Sequence, residues 1–290
     1  MIKVDIINRH SGLTRVTMEI DCNGDASHAT QLGRAVKMAL EAGVDLSGTN
    51  LSGANLSGMD LSEADLSRVD LYAADLSNAI LSHTNLSDAT LIETDLAEAD
   101  LSNACLSEVD LSKANLQWAN LTGALLMEAD LSWADLFKAN LTEADLSDAR
   151  LSNADLYCAD LTQADLTDAD MTAIRLNRAN LTKANLTDAA LTEARIIEAN
   201  FSGATLHGTK LTSVSGINDW IKCIQIEDWP ITYTTDILEI GCERHPIAEW
   251  ADFDDKRIAT MDGKKALKFW RKYKNWIFQT IELCPAKPTR

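Results

Sequence analysis

The sequence predicts an all-β solenoid, a fold in which short extended segments and turns wind round one axis. Residues 46–215 form 34 consecutive five-residue units without an insertion or deletion, each centred on a Leu except at Met171, Ile196 and Phe201. Two residues before each centre, most units carry Ala. A helix needs apolar residues at three- and four-residue intervals and a strand needs alternation, so this five-residue period fits neither. Stacked coils do fit, because they place both apolar sites inward in continuous columns.

The N-terminal flank, residues 1–45, is predicted to be a small α+β cap, since a solenoid otherwise exposes unpaired strand edges and an open core. Residues 2–20 alternate apolar and polar around "RHSG", which indicates a β-hairpin that turns near Gly12. A helix follows, with Asp25 or Ser27 as its N-cap and Gly43 as its stop. The apolar positions of this helix are Leu32, Val36, Met38 and Leu40.

The C-terminal flank, residues 216–290, loses the repeat and is predicted to be a mixed, mainly helical cap. We expect strands near 220–228 and 231–240, a short helix from about Ile247 to Met261, and a second helix from Lys264 to Leu283. The apolar stripe of the second helix is Leu267, Trp270, Ile277 and Ile281. From Lys256 to Arg290 there are ten basic and two acidic residues. This basic face is expected to be solvated or to rest on the rod, with contact to nucleic acid or membrane as the alternative.

Charge and composition narrow the classes of function. The net charge of −18 argues against direct binding of nucleic acid or of an anionic membrane, and favours a basic partner. No run of about eighteen apolar residues occurs and the N-terminus has no basic segment leading into an apolar core, so we expect a cytoplasmic protein. The six cysteines lie far apart, which favours reduced thiols.

The repeat itself identifies a family. The segments "ADLSDARLSNADL" and "ANLTEADLSDARL" resemble the A(D/N)Lxx motif of pentapeptide-repeat proteins over residues 46–215. This resemblance implies a right-handed quadrilateral β-helix with four units, hence twenty residues, per coil, and a rod of roughly 40 Å at strand spacing. The better understood members mimic duplex DNA and bind DNA gyrase. Both flanks resemble, more weakly, the ends of phage- and prophage-borne members.

With twenty residues per coil, one line of outward positions stands out as acidic. Six acidic residues lie two positions after a centre in six successive coils. We call them the acidic column: Asp88, Glu108, Glu128, Asp148, Asp168 and Asp188. Two residues further on, Asp110, Asp130 and Asp170 add to the same edge, and Asp145 and Asp165 precede it. Stacked like charges repel, so a fold under no other pressure would alternate them. The adjacent faces carry the basic residues Lys113, Lys138, Arg178 and Lys183.

Two interpretations of these carboxylates stay open. Asp and Asn directly before each Leu are expected to be turn residues that bond the local backbone. The acidic column lies at a position where the family tolerates almost any residue, so function and simple solvation both remain. Residues 46–215 hold 26 acidic and 9 basic residues, a net charge of −17, which resembles duplex nucleic acid in sign and elongated shape.

A second line of outward positions is aromatic. Gln117, Phe137 and Tyr157 stack at twenty-residue spacing, with Trp118 beside Gln117 and Trp133 on the neighbouring face. Exposed large aromatics are typical of contacts with a partner or a second copy of the chain. The alternative is that a terminal segment folds back to cover them. We call Trp118, Trp133, Phe137 and Tyr157 the aromatic surface.

Catalytic and metal-binding motifs are not evident in the sequence. The five histidines are dispersed, and there is no HExxH, GxSxG or glycine-rich phosphate loop. Cys242 and His245 have metal-ligand spacing but no second such pair, so we expect no metal, no cofactor and no enzymatic activity.

Two functions remain. The leading prediction is a DNA mimic that binds and inhibits or modulates a basic, DNA-handling protein such as a topoisomerase, a nuclease or a phage-defence factor. The alternative is an interaction scaffold or assembly component that uses the aromatic surface and the end domains. The family resemblance implies a homodimer as well, but the long C-terminal flank argues against the end-to-end form.

Overall fold

The repeats build a four-sided rod with twenty residues in each coil. We describe residues 1–21, 26–216 and 218–289 of a computed structural model of the chain. Parallel bridges join residues twenty positions apart, from the pair Asn50 and Asp70 to the pair Arg195 and Ser215. The backbone N–H of a centre donates to the carbonyl nineteen residues later, as from Leu136 to Asp155 at 2.8 Å. The main chain of each coil is therefore satisfied by the next coil.

The core consists of the two inward positions of every unit. All centres are buried except Leu206, which is half-buried beside the C-terminal domain. Where Thr replaces Ala two residues before a centre, its buried hydroxyl donates to a backbone carbonyl, as from Thr84 to Leu61 at 2.8 Å. A polar group enters this core only with a hydrogen-bond partner, as its burial requires.

Each unit turns at the second residue after its centre, which we call the corner position. These residues have φ near +60°, whether they are Gly123, Trp133 or Asp148. The left-handed conformation is disfavoured for residues with a Cβ, although Asp and Asn tolerate it better than others. The corner side chains point outward and do not contact the core.

The residue before each centre has the turn role predicted from the sequence. Where this residue is Asp or Asn, its Oδ1 accepts the backbone N–H two positions later, as Asp145 does from Ser147 at 3.0 Å. The following Ser or Thr commonly donates its hydroxyl to the same oxygen, as Ser147 does at 2.7 Å. These Asx turns recur along the rod and account for most of its Asp and Asn residues.

The N-terminal residues close the first coil. Strands β1 (Ile2–Asn8) and β2 (Thr14–Ile20) form an antiparallel hairpin, and β1 also pairs with β3 (Thr49–Asn50) of the first coil. Helix α1 (His28–Glu41) is capped by the Ser27 side chain, which accepts from the N–H of Thr30 at 3.2 Å. The alternative cap, Asp25, lies outside the described residues. The carbonyl of Ala29 in α1 accepts the N–H of Asn55 at 3.1 Å, so the helix replaces a preceding coil.

The C-terminal residues form a four-stranded antiparallel sheet with helices against it. The strands, in spatial order, are β4 (Lys222–Ile226), β5 (Trp229–Tyr233), β6 (Ile237–Ile240) and β7 (Glu243–Pro246). Helices α2 (Ile247–Asp252) and α3 (Asp255–Leu283) follow. This part has its own apolar core, which includes Tyr233, Trp250 and Trp270. Within the described residues, no helix combines the length and the hydropathy needed to cross a bilayer.

Two sequence predictions for this region are wrong in detail. The single strand expected at 231–240 is two strands, because Thr234 forms a tight turn in which its N–H donates to the carbonyl of Ile237 at 3.0 Å. The helix expected from Ile247 to Met261 ends at Asp252, because Asp254 caps α3 by accepting the N–H of Arg257 at 2.8 Å. The gap expected near 262–263 is a kink within α3, where Gly263 has φ +56°.

Candidate interaction surfaces

The acidic column occupies one corner of the rod along six successive coils. All six side chains are exposed, and all six residues have left-handed backbone with φ of 57° or 58°. Their backbone N–H groups donate to the next coil, as from Asp148 to the carbonyl of Thr167 at 2.9 Å. The backbone thus fixes the carboxylates in one line, and five coil spacings extend that line over roughly 24 Å.

Within the described ranges the six carboxylates form no ion pair, although the Arg244 guanidinium is close enough to Asp188 for the two charges to interact. Among the described residues, no Lys, Arg or His nitrogen lies within 4.0 Å of any of them. Acidic residues at other corners do have partners: Glu93 lies 3.4 Å from Lys113, and Glu198 lies 2.7 Å from Arg178. Arg68 precedes the acidic column in the same line, and Gly208 follows it. The acidic column therefore carries no directly bound cation, and its line ends at Arg68 on one side and near Arg244 of the C-terminal domain on the other.

Backbone preference does not explain the acidic column. The rod has 34 corner positions, and Asp tolerates their left-handed conformation better than most residues do. If that tolerance placed Asp at corners, Asp would occur at all four corners of the coil. The four corner Asp residues instead all lie in the acidic column, and the 25 positions at the other three corners of the coil contain none. The corner Asp residues are therefore confined to this one corner.

The neighbouring carboxylates differ from the acidic column. Asp110 and Asp130 accept backbone N–H groups from the turns that follow them, at 3.0 Å and 2.9 Å. Burial raises the pKa of Asp170, but hydrogen bonds from Thr172 and Ser152 outweigh this effect and hold the pKa below its usual value. These three residues are half-buried on the adjacent face and serve the backbone there.

A cation interrupts this second line of carboxylates. Arg150 lies between Asp130 and Asp170 in the ladder and approaches Asp130 at 3.5 Å. Arg150 was not among the residues predicted from the sequence, because only the acidic residues of that line suggested a site. Asp145 and Asp165, on the other side of the acidic column, also form Asx turns. We therefore restrict the candidate acidic surface to the acidic column.

Three rings of the aromatic surface are in contact with one another, and both of its tryptophans are exposed. Phe137 stacks on Tyr157 with ring centroids 5.8 Å apart, and Trp118 meets the edge of Phe137 at 5.9 Å. The Lys138 ammonium lies 4.0 Å above the Trp118 ring. Phe137 and Tyr157 are half-buried, whereas Trp118 is 51% and Trp133 64% exposed. No described terminal segment covers the two tryptophans, so intramolecular cover is wrong for them.

Two cations of the basic C-terminal helix form ion pairs within their own domain. Lys272 binds Glu227 at 2.7 Å, which lowers the pKa of the Glu227 carboxyl. Arg271 binds Asp255 at 2.5 Å. The predicted resting of this face on the rod is not found for these residues. His245 approaches Glu243 at 3.5 Å, and within the described ranges no three His, Cys, Asp or Glu side chains are grouped to hold a metal.

The fold defines a solenoid repeat protein whose coil is made of four five-residue units. The chain belongs to the pentapeptide-repeat family: the family model "Pentapeptide repeats" matches residues 42–78, 70–107, 104–142, 134–172 and 174–212. Members of this family adopt a right-handed quadrilateral β-helix. In comparison with curated proteins, the sequence has no match.

Several solved structures of pentapeptide-repeat proteins are similar. HetL, involved in heterocyst differentiation regulation in Nostoc sp. strain PCC 7120, is 34% identical over 62% of this chain and 93% of HetL, with a TM-score of 0.28. A thylakoid-lumen protein of Arabidopsis thaliana is 31% identical over 37% of this chain and 70% of its own, with a TM-score of 0.29. Full-length QnrB1, a plasmid-mediated fluoroquinolone resistance protein, is 19% identical over 58% of this chain and 92% of its own, with a TM-score of 0.31.

Proposed function

We propose that this protein is a non-enzymatic binding protein whose rod mimics DNA and occupies the basic groove of a DNA-handling protein. A topoisomerase, a nuclease or a phage-defence factor has the required groove. The acidic column is the observation that carries the proposal: six exposed carboxylates lie in line over roughly 24 Å, and no ion pair engages them among the described residues.

The charge density of the rod supports the comparison with DNA. A net charge of −17 on residues 46–215, spread over roughly 40 Å, gives about one negative charge per 2.4 Å. Duplex DNA carries about one per 1.7 Å. A groove whose lysines and arginines bind phosphates would thus meet a comparable, somewhat weaker negative electrostatic field on the rod. Six of the exposed carboxylates that produce it are aligned at one corner.

The exposed tryptophans favour a second candidate function, an interaction scaffold. Trp118 and Trp133 lie on either side of the face that carries Phe137 and Tyr157, and tryptophan is enriched at protein interfaces. In this alternative, the negative charge serves solubility, and the partner or a second copy of the chain binds the aromatic surface.

A matched pair of variants distinguishes the DNA mimic from the interaction scaffold. The first carries Asn or Gln at all six positions of the acidic column. The second carries Gln at the six Glu residues of the other corners, which have the same left-handed backbone, the same exposure and the same total charge change: Glu63, Glu93, Glu98, Glu143, Glu193 and Glu198. Each protein is immobilised and exposed to the fraction of a bacterial lysate that a duplex-DNA column retains, and bound proteins are then eluted with duplex DNA.

The proposal expects wild-type protein and the second variant to retain proteins that duplex DNA releases, and the first variant to lose them. If both variants retain or both lose these proteins, the acidic column is not the binding surface. If duplex DNA releases nothing, and Trp118→Ser with Trp133→Ser abolishes retention, the scaffold is the function.

A further inference from the structure

One coil of the rod carries apolar residues, beside the acidic column, at outward positions that are polar in most other coils. In the unit centred on Leu126, the positions before and after the centre are Leu125 and Met127, which we call the apolar strip. It is the one unit of the 34 in which both of these outward positions carry apolar side chains. Elsewhere in the same lines the chain has residues such as Asn85, Asp145 and Ser147.

The departure has a local cost. Asp145 in the next coil accepts the N–H of Ser147 and also its hydroxyl, at 3.0 Å and 2.7 Å. Leu125 has no oxygen for this turn, and Met127 has no hydroxyl. Leu125 is 42% and Met127 38% exposed. The apolar strip thus gives up side-chain hydrogen bonds and leaves apolar surface in water, a combination that folding alone does not favour.

The position of the apolar strip indicates its use. Glu128 follows Met127 directly at the corner, with Glu108 and Asp148 one coil away on either side, so the strip adjoins the central part of the acidic column. On the opposite side the corner residue is Gly123, and Leu125 between the two corners is 42% exposed. Apolar contact at the centre of a charged surface is the usual arrangement of an interface anchor.

We propose that the apolar strip is the specificity anchor of the acidic surface, and that its partner is a cationic protein surface with an apolar side chain among its lysines and arginines. This inference rests on the proposed function and sharpens it. Charge attracts any basic groove, whereas the strip favours a groove whose centre offers an apolar side chain that both partners then bury. Duplex DNA has no equivalent of this contact along its phosphates.

Two synthetic peptides test the anchor directly. An α-helix spans about 24 Å in roughly sixteen residues, and its turns, about 5.4 Å apart, approach the coil spacing. One peptide carries five lysines along one face of an Ala-rich helix with a central Leu, and the other has Ser in place of that Leu. Affinities are measured by calorimetry across a salt series for wild-type protein, for Leu125→Asn with Met127→Ser, and for the variant neutralised at the acidic column. A control pair, Ile80→Asn with Ile197→Ser, removes exposed apolar side chains from other faces.

Wild-type protein is expected to bind the Leu peptide about five- to tenfold more tightly than the Ser peptide. Leu125→Asn with Met127→Ser should reduce this preference to less than about twofold. The salt dependence of binding should be the same as in wild type, because the charge is unchanged. The thermal midpoint of unfolding should be no lower than in wild type, because Asn and Ser restore the hydrogen bonds of the turn. The control pair should keep the preference.

Three results would overturn the inference: no preference in wild type, a preference that survives the strip substitutions, or an equal loss in the control pair. If Leu125→Asn with Met127→Ser lowers the unfolding midpoint, the two residues contribute to folding. The affinities for the Leu and Ser peptides are then compared again with Met127→Ser alone. Failure of the proposed function is separate: the variant neutralised at the acidic column would bind both peptides as tightly as wild type does.

Discussion

Glu239 closes the last coil, and its removal should open that end of the rod. In inner coils the N–H of a centre donates to the next coil, but Leu211 has no such coil beyond it. Its N–H donates instead to Oε2 of Glu239 at 3.1 Å, and the Thr212 hydroxyl donates to Oε1. Glu239 is buried, so Glu239→Ala leaves the Leu211 N–H orphaned at a cost of about 1–3 kcal/mol, and also removes charge-assisted bonds. We expect the free energy of unfolding to fall by about 2–5 kcal/mol, measured by urea denaturation, with faster hydrogen exchange at Leu211.

Glu239→Gln should behave in the opposite way. An amide oxygen can accept from Leu211, and the amide group can donate to the Thr212 hydroxyl, so both contacts survive without a buried charge. Burial raises the pKa of Glu239 above its usual 4.5, in spite of the hydrogen bonds from Thr212 and Leu211 and the nearby Arg244. The native state therefore holds the proton more tightly than the unfolded state, and this carboxyl lowers stability as the pH rises from 4.5 through the raised pKa. Glu239→Gln should remove that decline and be at least as stable as wild type at pH 7.

Asp228→Asn is the control, because Asp228 is exposed in the turn between β4 and β5. The reasoning is refuted if Glu239→Ala is as stable as this control, or if Glu239→Gln loses as much stability as Glu239→Ala. The same conclusion holds if the pH dependence of Glu239→Gln matches that of wild type between pH 4.5 and 7.

Three further substitutions test the rest of the rod. Gly33→Ala should lower the thermal midpoint, because a Cβ there would overlap the carbonyl oxygen of Asn55 and displace α1 from the first coil; an unchanged midpoint would contradict that packing. Ala173→Gly should raise the free energy of unfolding by about 0.5–1 kcal/mol, since Ala173 has φ +56°, and denaturant titration would show a loss if the turn were unstrained. Leu136→Ala, at a fully buried centre, should cost about 3–5 kcal/mol by the same titration, and half-buried Leu206→Ala should cost less; equal losses would contradict the burial difference.

The rod was predictable because its period directly specifies its geometry. Every Leu must fill its place in one of four inward columns, so the sequence alone places the centres, the inward Ala and the outward corners. The turn role of Asp145 and its equivalents was also predictable, because Asx turns are local. The corner backbone was harder to foresee, since Trp133 and Glu108 are poor candidates for a left-handed conformation and only the repeat imposes it there.

What the sequence did not reveal depends on contacts between distant residues. Glu239 lies outside the repeat, and nothing local indicates that it accepts the N–H of Leu211, 28 residues earlier. Arg150 was omitted because only acidic positions of its line were considered. The helix boundary at Asp254 was missed because residues 247–261 carry a continuous helical pattern, whereas the Asp254 cap interrupts it.

The fold does not require acidic residues at the corner positions, so the repulsion within the acidic column is not a consequence of folding. A corner side chain does not contact the core and contributes no hydrogen bond that the coil needs, as Trp133, Asn153 and Ala173 at one corner demonstrate. Neutral residues are therefore compatible with every position of the acidic column, and they would relieve the repulsion between neighbouring carboxylates. The apolar strip likewise occupies positions where Asn and Ser would complete a turn. Two features that each disfavour folding thus meet on one coil, at Glu128 and Met127, and under the proposed function a bound partner supplies the benefit that offsets them.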